Sequence, residues 1–240
     1  MRPSWALAWL TSRSSRYPPG RPLLHVPGQV RHGWSRHLAA ATLAIAALAP
    51  LARGQIVART PVETGIFGLA ARGHRFVYVF DRSASMAEPA GVPLARAKNE
   101  LLRSLDQLGD VQQFYVIFYN ERMHMFAPGA AGRLVFATAD NRRAARRFVE
   151  SVRAAGGTRH AEPLAAALRL APDVIFMLTD GDGPDDLTEQ EYARLAESLG
   201  RTRCLVVQFG GDGGVRSPRL ARLAMQSGGE YKVVEAAAVE

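Results

Sequence analysis

The sequence predicts a doubly wound α/β fold, a mostly parallel sheet with helices on both faces, over residues 73–240. Three observations carry this prediction. Uncharged, strand-length apolar runs recur at 76–80 (FVYVF), 114–118 (FYVIF), 174–178 (VIFML) and 204–209 (CLVVQF). Segments with helical spacing of apolar residues separate them. The runs are continuous rather than alternating, as strands covered on both faces must be.

Each element follows from local chemistry. After FVYVF, residues Leu94, Leu101, Leu102, Leu105 and Leu108 recur at helical spacing, and Pro93 suits the first helical turn. FYVIF is the second strand, and MHMF (123–126) and RLVF (133–136) read as short edge strands around the turn APGAAG. A helix is expected over about 140–153, with Phe148 and Val152 on one face. Its arginines at 142, 143, 146 and 147 read as a solvated face rather than a phosphate site. The turn AAGGT (154–158) precedes a helix opened by Pro163, with Leu164 and Leu168 one turn apart. VIFML is the third long strand. Thr188 and Glu191 have capping-box spacing, and Tyr192, Leu195, Ala196 and Leu199 continue that helix. Ser217-Pro218 opens a last helix after CLVVQF, and EYKVV (230–234) closes the sheet. No internal repeat is visible.

A net charge of +8 and a pI near 10.3 invite a nucleic-acid reading. The charge distribution removes it. No acidic residue precedes Glu63, whereas eight arginines do; from residue 63 onward 22 basic side chains balance 22 acidic ones. The excess belongs to a basic leader, residues 1–54, in which LAAATLAIAALAPLA (38–52) follows RHGWSRH. An apolar run of about 14 residues is shorter than the roughly 20 a bilayer span needs and suits a signal peptide. Retention as a membrane anchor through residues 38–52 is the other outcome. Both predict export, with the folded part outside the cytoplasm in the cell envelope; the alternative, a disordered Arg/Pro-rich leader on a cytosolic protein, does not explain the apolar run. Residues 55–72, broken by Pro61 and glycines, read as a linker, and heavy Arg and Ala usage points to a GC-rich bacterial genome. The single cysteine, Cys204, sits in an apolar run, so no intrachain disulfide forms and a buried thiol is expected.

Ligands of such sheets bind outside the carboxyl ends of the strands. Asp81 ends the first strand, Asp180 follows the third, and Thr158 follows Gly156-Gly157 ahead of the helix feeding that third strand. Ser83 and Ser85 stand two and four residues past Asp81. Asp and Ser at a strand-to-helix turn can simply be a helix cap. The sharper reading is a cation site. Asp81, Ser83, Ser85, Thr158 and Asp180 form an oxygen-only set suited to hard Mg²⁺, with Mn²⁺ or Ca²⁺ as substitutes. The absence of a His/Cys cluster disfavours zinc.

Asp81-x-Ser83-x-Ser85, Thr158 after a double glycine and Asp180-Gly181 together resemble the metal-ion-dependent adhesion site (MIDAS) of von Willebrand factor type A domains. The resemblance spans residues 73–240. It implies that Ser83 and Ser85 bind the ion directly, Thr158 in one conformation, and Asp81 and Asp180 mostly through water. Neutral hydroxyls would leave the ion under-neutralised, so that an Asp or Glu carboxylate of a protein partner completes its coordination. Ala84 stands where the family often has glycine, and Arg82 puts a positive charge beside the site. The acidic run DGDGPDD (180–186) with Glu191 offers oxygens for a second calcium site, against the simpler role of capping the next helix. A hydrolase is the rival function, with His160 its one candidate base, but no Gly-x-Ser-x-Gly elbow occurs. A metal-independent scaffold of the same fold is the other.

Overall fold

The computed structural model describes residues 60–129, 132–181, 185–210 and 214–235. The leader, with its apolar run at 38–52, lies outside them. Among the described residues no helix is long and apolar enough to cross a membrane.

The chain runs β1 (Val62–Ile66), β2 (Leu69–Gly73), β3 (Arg75–Asp81), α1 (Val92–Asp106), β4 (Gln113–Tyr119), β5 (Met123–Met125) and β6 (Val135–Phe136). It continues through α2 (Ala139–Ser151), α3 (Ala161–Arg169), β7 (Val174–Thr179), α4 (Glu189–Ser198), β8 (Arg203–Phe209), α5 (Pro218–Gln226) and β9 (Tyr231–Val234). The main sheet has the order β5-β4-β3-β7-β8-β9, with β6 also paired to β4. The pairs β3–β4, β3–β7, β7–β8 and β8–β9 are parallel, and β5 and β6 are antiparallel to β4. The predicted fold class is therefore the observed one.

Alternate residues of the central strands supply two cores. Phe76, Tyr78, Phe80 and Phe176 pack with α1, α2 and the β1–β2 hairpin on one face. Val77, Val79, Ile175 and Met177 pack with α3, α4 and α5 on the other. With both faces occupied, neither parity of these strands can carry a charge until Asp81, which explains the unbroken apolar runs.

Three expectations need correction. Residues 62–73 are no linker: β1 and β2 form an antiparallel hairpin whose Ile66, Leu69 and Ala71 join the first core. Its alternation is masked because one inward position is Thr64, whose hydroxyl reaches the Ser104 carbonyl (2.9 Å) and hydroxyl (2.6 Å) of α1 and the Gln107 Oε1 (2.9 Å). Its turn places Phe67 at φ 48° and Gly68 at φ 77°, the left-handed pair that a two-residue hairpin needs. Phe67 bears this because its ring sits edge-on to Phe209 (5.2 Å) and its N–H donates to Glu100 Oε2 (2.7 Å). Second, α1 ends at Asp106, so Leu108 is buried beyond the helix rather than on it. Third, α2 buries Ala145 and Val149; Phe148 is half-buried, and Val152 is the residue just past the helix end.

The capping box of α4 forms as predicted: the Thr188 hydroxyl accepts the Glu191 N–H at 3.2 Å, and Glu191 Oε2 accepts the Thr188 N–H at 2.8 Å. Three of the four α2 arginines face acids, Arg142 with Asp110, Arg143 with Asp140 and Arg146 with Asp106, so this helix does present a solvated, ion-paired face. Cys204 is buried on β8, and burial pushes its thiol up to about 12. Because only thiolate reacts, native protein at about pH 8 is expected to resist Ellman's reagent and to release its single thiol only in denaturant. Rapid labelling of the native chain would contradict this packing.

Candidate metal centre

β3 and β7 lie side by side and end at the same rim, so Asp81 and Thr179 emerge together. Asp81 is fully buried. Its Oδ1 accepts the Ser83 N–H at 2.7 Å and its Oδ2 accepts the Thr179 hydroxyl at 2.8 Å. These two bonds fix the exit of the chain from β3. The Ser83 hydroxyl then lies 3.0 Å from that of Ser85 and 3.4 Å from Asp180 Oδ1. The helix-cap alternative fails here. Ser83 precedes a short 3₁₀ turn at Ala84–Ala87 without capping it through its side chain, and α1 begins only after Gly91.

Thr158 reaches the same place through its loop. The Ala155 N–H donates to the Arg82 carbonyl at 2.8 Å, the Ala84 N–H donates to the Gly156 carbonyl at 2.9 Å, and Asn120 Nδ2 holds the Ala155 carbonyl at 2.5 Å. Gly156 adopts φ 77°, and a Cβ there would stand 2.8 Å from Asn120 Nδ2. Glycine is thus required twice over, for conformation and for space. The result is a cavity of about 420 Å³ lined by Ser83, Ser85, Thr158 and Asp180, with Asp185 and Arg216 at its margin. Asp81 lies beneath it. All five residues singled out in the sequence meet at this rim.

Burial pushes the Asp81 carboxyl up to about 7, its bonds to Ser83 and Thr179 offset part of that, and the charge of Asp180 adds to it. A buried carboxylate with a second carboxylate nearby is costly unless a cation shares the site. Among the described residues no group of three or more His, Cys, Asp or Glu forms; the donors gathered around Ser83 are oxygens, the hydroxyls of Ser83, Ser85 and Thr158 and the carboxylates of Asp81 and Asp180, with Glu88 and Asp185 elsewhere on the cavity lining. Such oxygens fit a hard divalent ion and not a soft one.

A buried polar layer supports the rim. The Thr179 hydroxyl, while donating to Asp81, accepts the Gly181 N–H at 2.9 Å. The Tyr119 hydroxyl, at the end of β4, meets His160 Nδ1 at 2.9 Å. Burial pushes His160 down to about 4 and Tyr119 well above its usual value, so both are neutral at physiological pH. His160 is 2% exposed and does not line the cavity, which removes it as a base facing solvent. Arg82 turns from the cavity toward the Arg153 carbonyl (3.2 Å) and Asn120 Oδ1 (3.4 Å). In the acidic run, Asp186 accepts the Arg219 and Leu220 N–H groups at the start of α5 (2.8 and 3.2 Å), and Glu191 serves the α4 cap. Those carboxylates are committed to helix ends; Asp182 lies outside the described residues. Thr179, Tyr119 and Asn120 were not singled out from the sequence. Thr179 had a faint signal, a hydroxyl closing an otherwise apolar run.

No protein-family model matches the chain. The chain is similar to the human inter-alpha-trypsin inhibitor heavy chain H4, with 29% identity over 192 residues covering 70% of this chain and 20% of that protein. It therefore spans about a fifth of that relative's length. Among solved structures it resembles a von Willebrand factor type A protein from Catenulispora acidiphila, with a TM-score of 0.59 and 25% identity over 73% of this chain and 42% of that one. It also resembles proximal thread matrix protein 1 from the mussel byssus, described with a zinc-occupied MIDAS motif, with a TM-score of 0.51 and 21% identity over 70% and 43% of the respective chains. The fold is that of von Willebrand type A domains.

Proposed function

We propose that the rim is a metal-ion-dependent adhesion site, and that the chain is an exported, non-enzymatic protein-binding domain of the cell envelope. The carrying observation is that Ser83 Oγ lies 3.0 Å from Ser85 Oγ and 3.4 Å from Asp180 Oδ1, directly above the buried Asp81. Ser83, Ser85 and Thr158 would hold Mg²⁺ (or Mn²⁺ or Ca²⁺) through hydroxyls, with Asp81 and Asp180 supplying charge around it. The bound ion would supply positive charge and an exchangeable coordination position for a partner's Asp or Glu carboxylate. Asp81 and Thr179 brace the Ser83 turn. The loop at 154–158 keeps Thr158 in place, and Asn120 anchors that loop. His160, the one candidate base, is sealed beneath the rim, which counts against a hydrolase that uses it. The apolar run at 38–52 supports export, either after cleavage or as an anchor.

Chelation tests this reading. Full-length chain immobilised on resin is expected to retain an envelope partner in Mg²⁺ and to release it in EDTA, and the Ser83→Ala/Asp180→Ala chain is expected to retain none in either buffer. Retention indifferent to EDTA would remove the metal from the binding event.

A further inference from the structure

At the opposite end of the sheet, where the parallel strands begin, the described residues enclose a second cavity of about 710 Å³. Its walls are the end of β2, the segment leading into β3, and the loops before β7 and β8. Arg72, His74, Arg201 and Arg203 line it, and Asp173 is the one carboxylate among its described lining. Asp173 is already engaged, since its Oδ2 accepts the N–H groups of His74 (2.6 Å) and Arg75 (3.0 Å).

Several arginines elsewhere on the surface are ion-paired, and those gathered at this cleft are not. Arg103, Arg142, Arg143, Arg146, Arg219 and Arg222 each face an Asp or Glu. Arg72, Arg201 and Arg203 make no ion pair with any described acid. Arg203 is held in place by donating to the Arg72 carbonyl at 2.7 Å, while Arg72 and Arg201 are exposed. Three guanidiniums without an acid partner line one cleft, and a planar carboxylate satisfies such a group bidentately. The cavity is too roomy for a single inorganic anion, and Leu168, Pro172 and Leu199 give it apolar surface that such an ion would not use. The chain's own leader cannot supply the negative charge, because no acid precedes Glu63.

We propose that this basal cleft binds an acidic peptide segment of a partner protein, its carboxylates on Arg72, Arg201 and Arg203 and its apolar side chains over Leu168 and Leu199. The site is separate from the rim and needs no metal. The test is fluorescence anisotropy of full-length chain with a labelled peptide in which glutamate alternates with leucine, in EDTA. Binding is expected that weakens with added salt and falls about tenfold in Arg72→Glu/Arg201→Glu and less in Arg72→Gln/Arg201→Gln. Both side chains are exposed, so thermal unfolding should be unchanged in either variant. The proposal is overturned if binding requires Mg²⁺, if the glutamine-for-glutamate peptide binds equally well, or if neither variant weakens it. It is also overturned if tripolyphosphate displaces the peptide at concentrations below the peptide's own Kd, which would assign the cleft to phosphates.

Discussion

Saturating Mg²⁺ is expected to raise the thermal midpoint of the wild-type chain by about 5–10 °C, and the Ser83→Ala/Asp180→Ala chain is expected to lose that rise. A ligand that binds only the folded state at about one hundred times its Kd stabilises by about 2.7 kcal/mol. A domain of this size gains about 2–4 °C per kcal/mol. The double variant removes the Ser83 hydroxyl and the whole Asp180 carboxylate, the two sides of their 3.4 Å approach. It leaves the Ser83 N–H to Asp81 bond intact, because that donor is backbone. The fold should therefore survive while the cation response disappears. Differential scanning calorimetry in Mg²⁺ and in EDTA reads both quantities. A midpoint that climbs equally in the two chains would mean that the ion binds elsewhere.

Phe176→Ala is expected to cost about 3–5 kcal/mol of folding stability. Phe176 is fully buried at the middle of β7, with its ring stacked 5.5 Å from Tyr78 and 6.3 Å from Phe76. Truncation removes the ring's contacts with Tyr78 and Phe76 at once and leaves a void among β3, β7 and the first core. Against a typical total of about 5–15 kcal/mol the loss is severe. Urea unfolding should show a lower midpoint with an unchanged slope. The molecules that remain folded should still respond to Mg²⁺, because Phe176 does not line the rim. A loss below about 1 kcal/mol would mean that the ring is not packed as described.

The long strands were legible because burial on both faces leaves a plain mark, an apolar run with no alternation. The rim was legible for the complementary reason: short polar residues at Asp81 and Asp180 break such runs where the sheet meets solvent. The hairpin was not, since Thr64 points inward and is satisfied by Ser104 and Gln107, about forty residues away in sequence. Nor could local pattern reveal Tyr119 against His160 or Thr179 against Asp81, which are tertiary pairings between separate elements. Arg82 was ambiguous for the same reason, as its direction depends on Asn120 and Arg153. The basal cleft gathers arginines from positions 72, 201 and 203, and no window of sequence contains all three.

The bond from Thr179 to Asp81 joins residues 98 positions apart, and the approach of Ser83 to Asp180 spans 97. During synthesis, then, a chain that has already made β3, α1 and β4 still holds Asp81 at an unfinished edge, its local bond from the Ser83 N–H available but the one from Thr179 not yet possible. Only when the ribosome has delivered β7 can that edge close, so a product truncated before it, however well its early helices form, lacks Thr179 and Asp180 and holds only part of the rim.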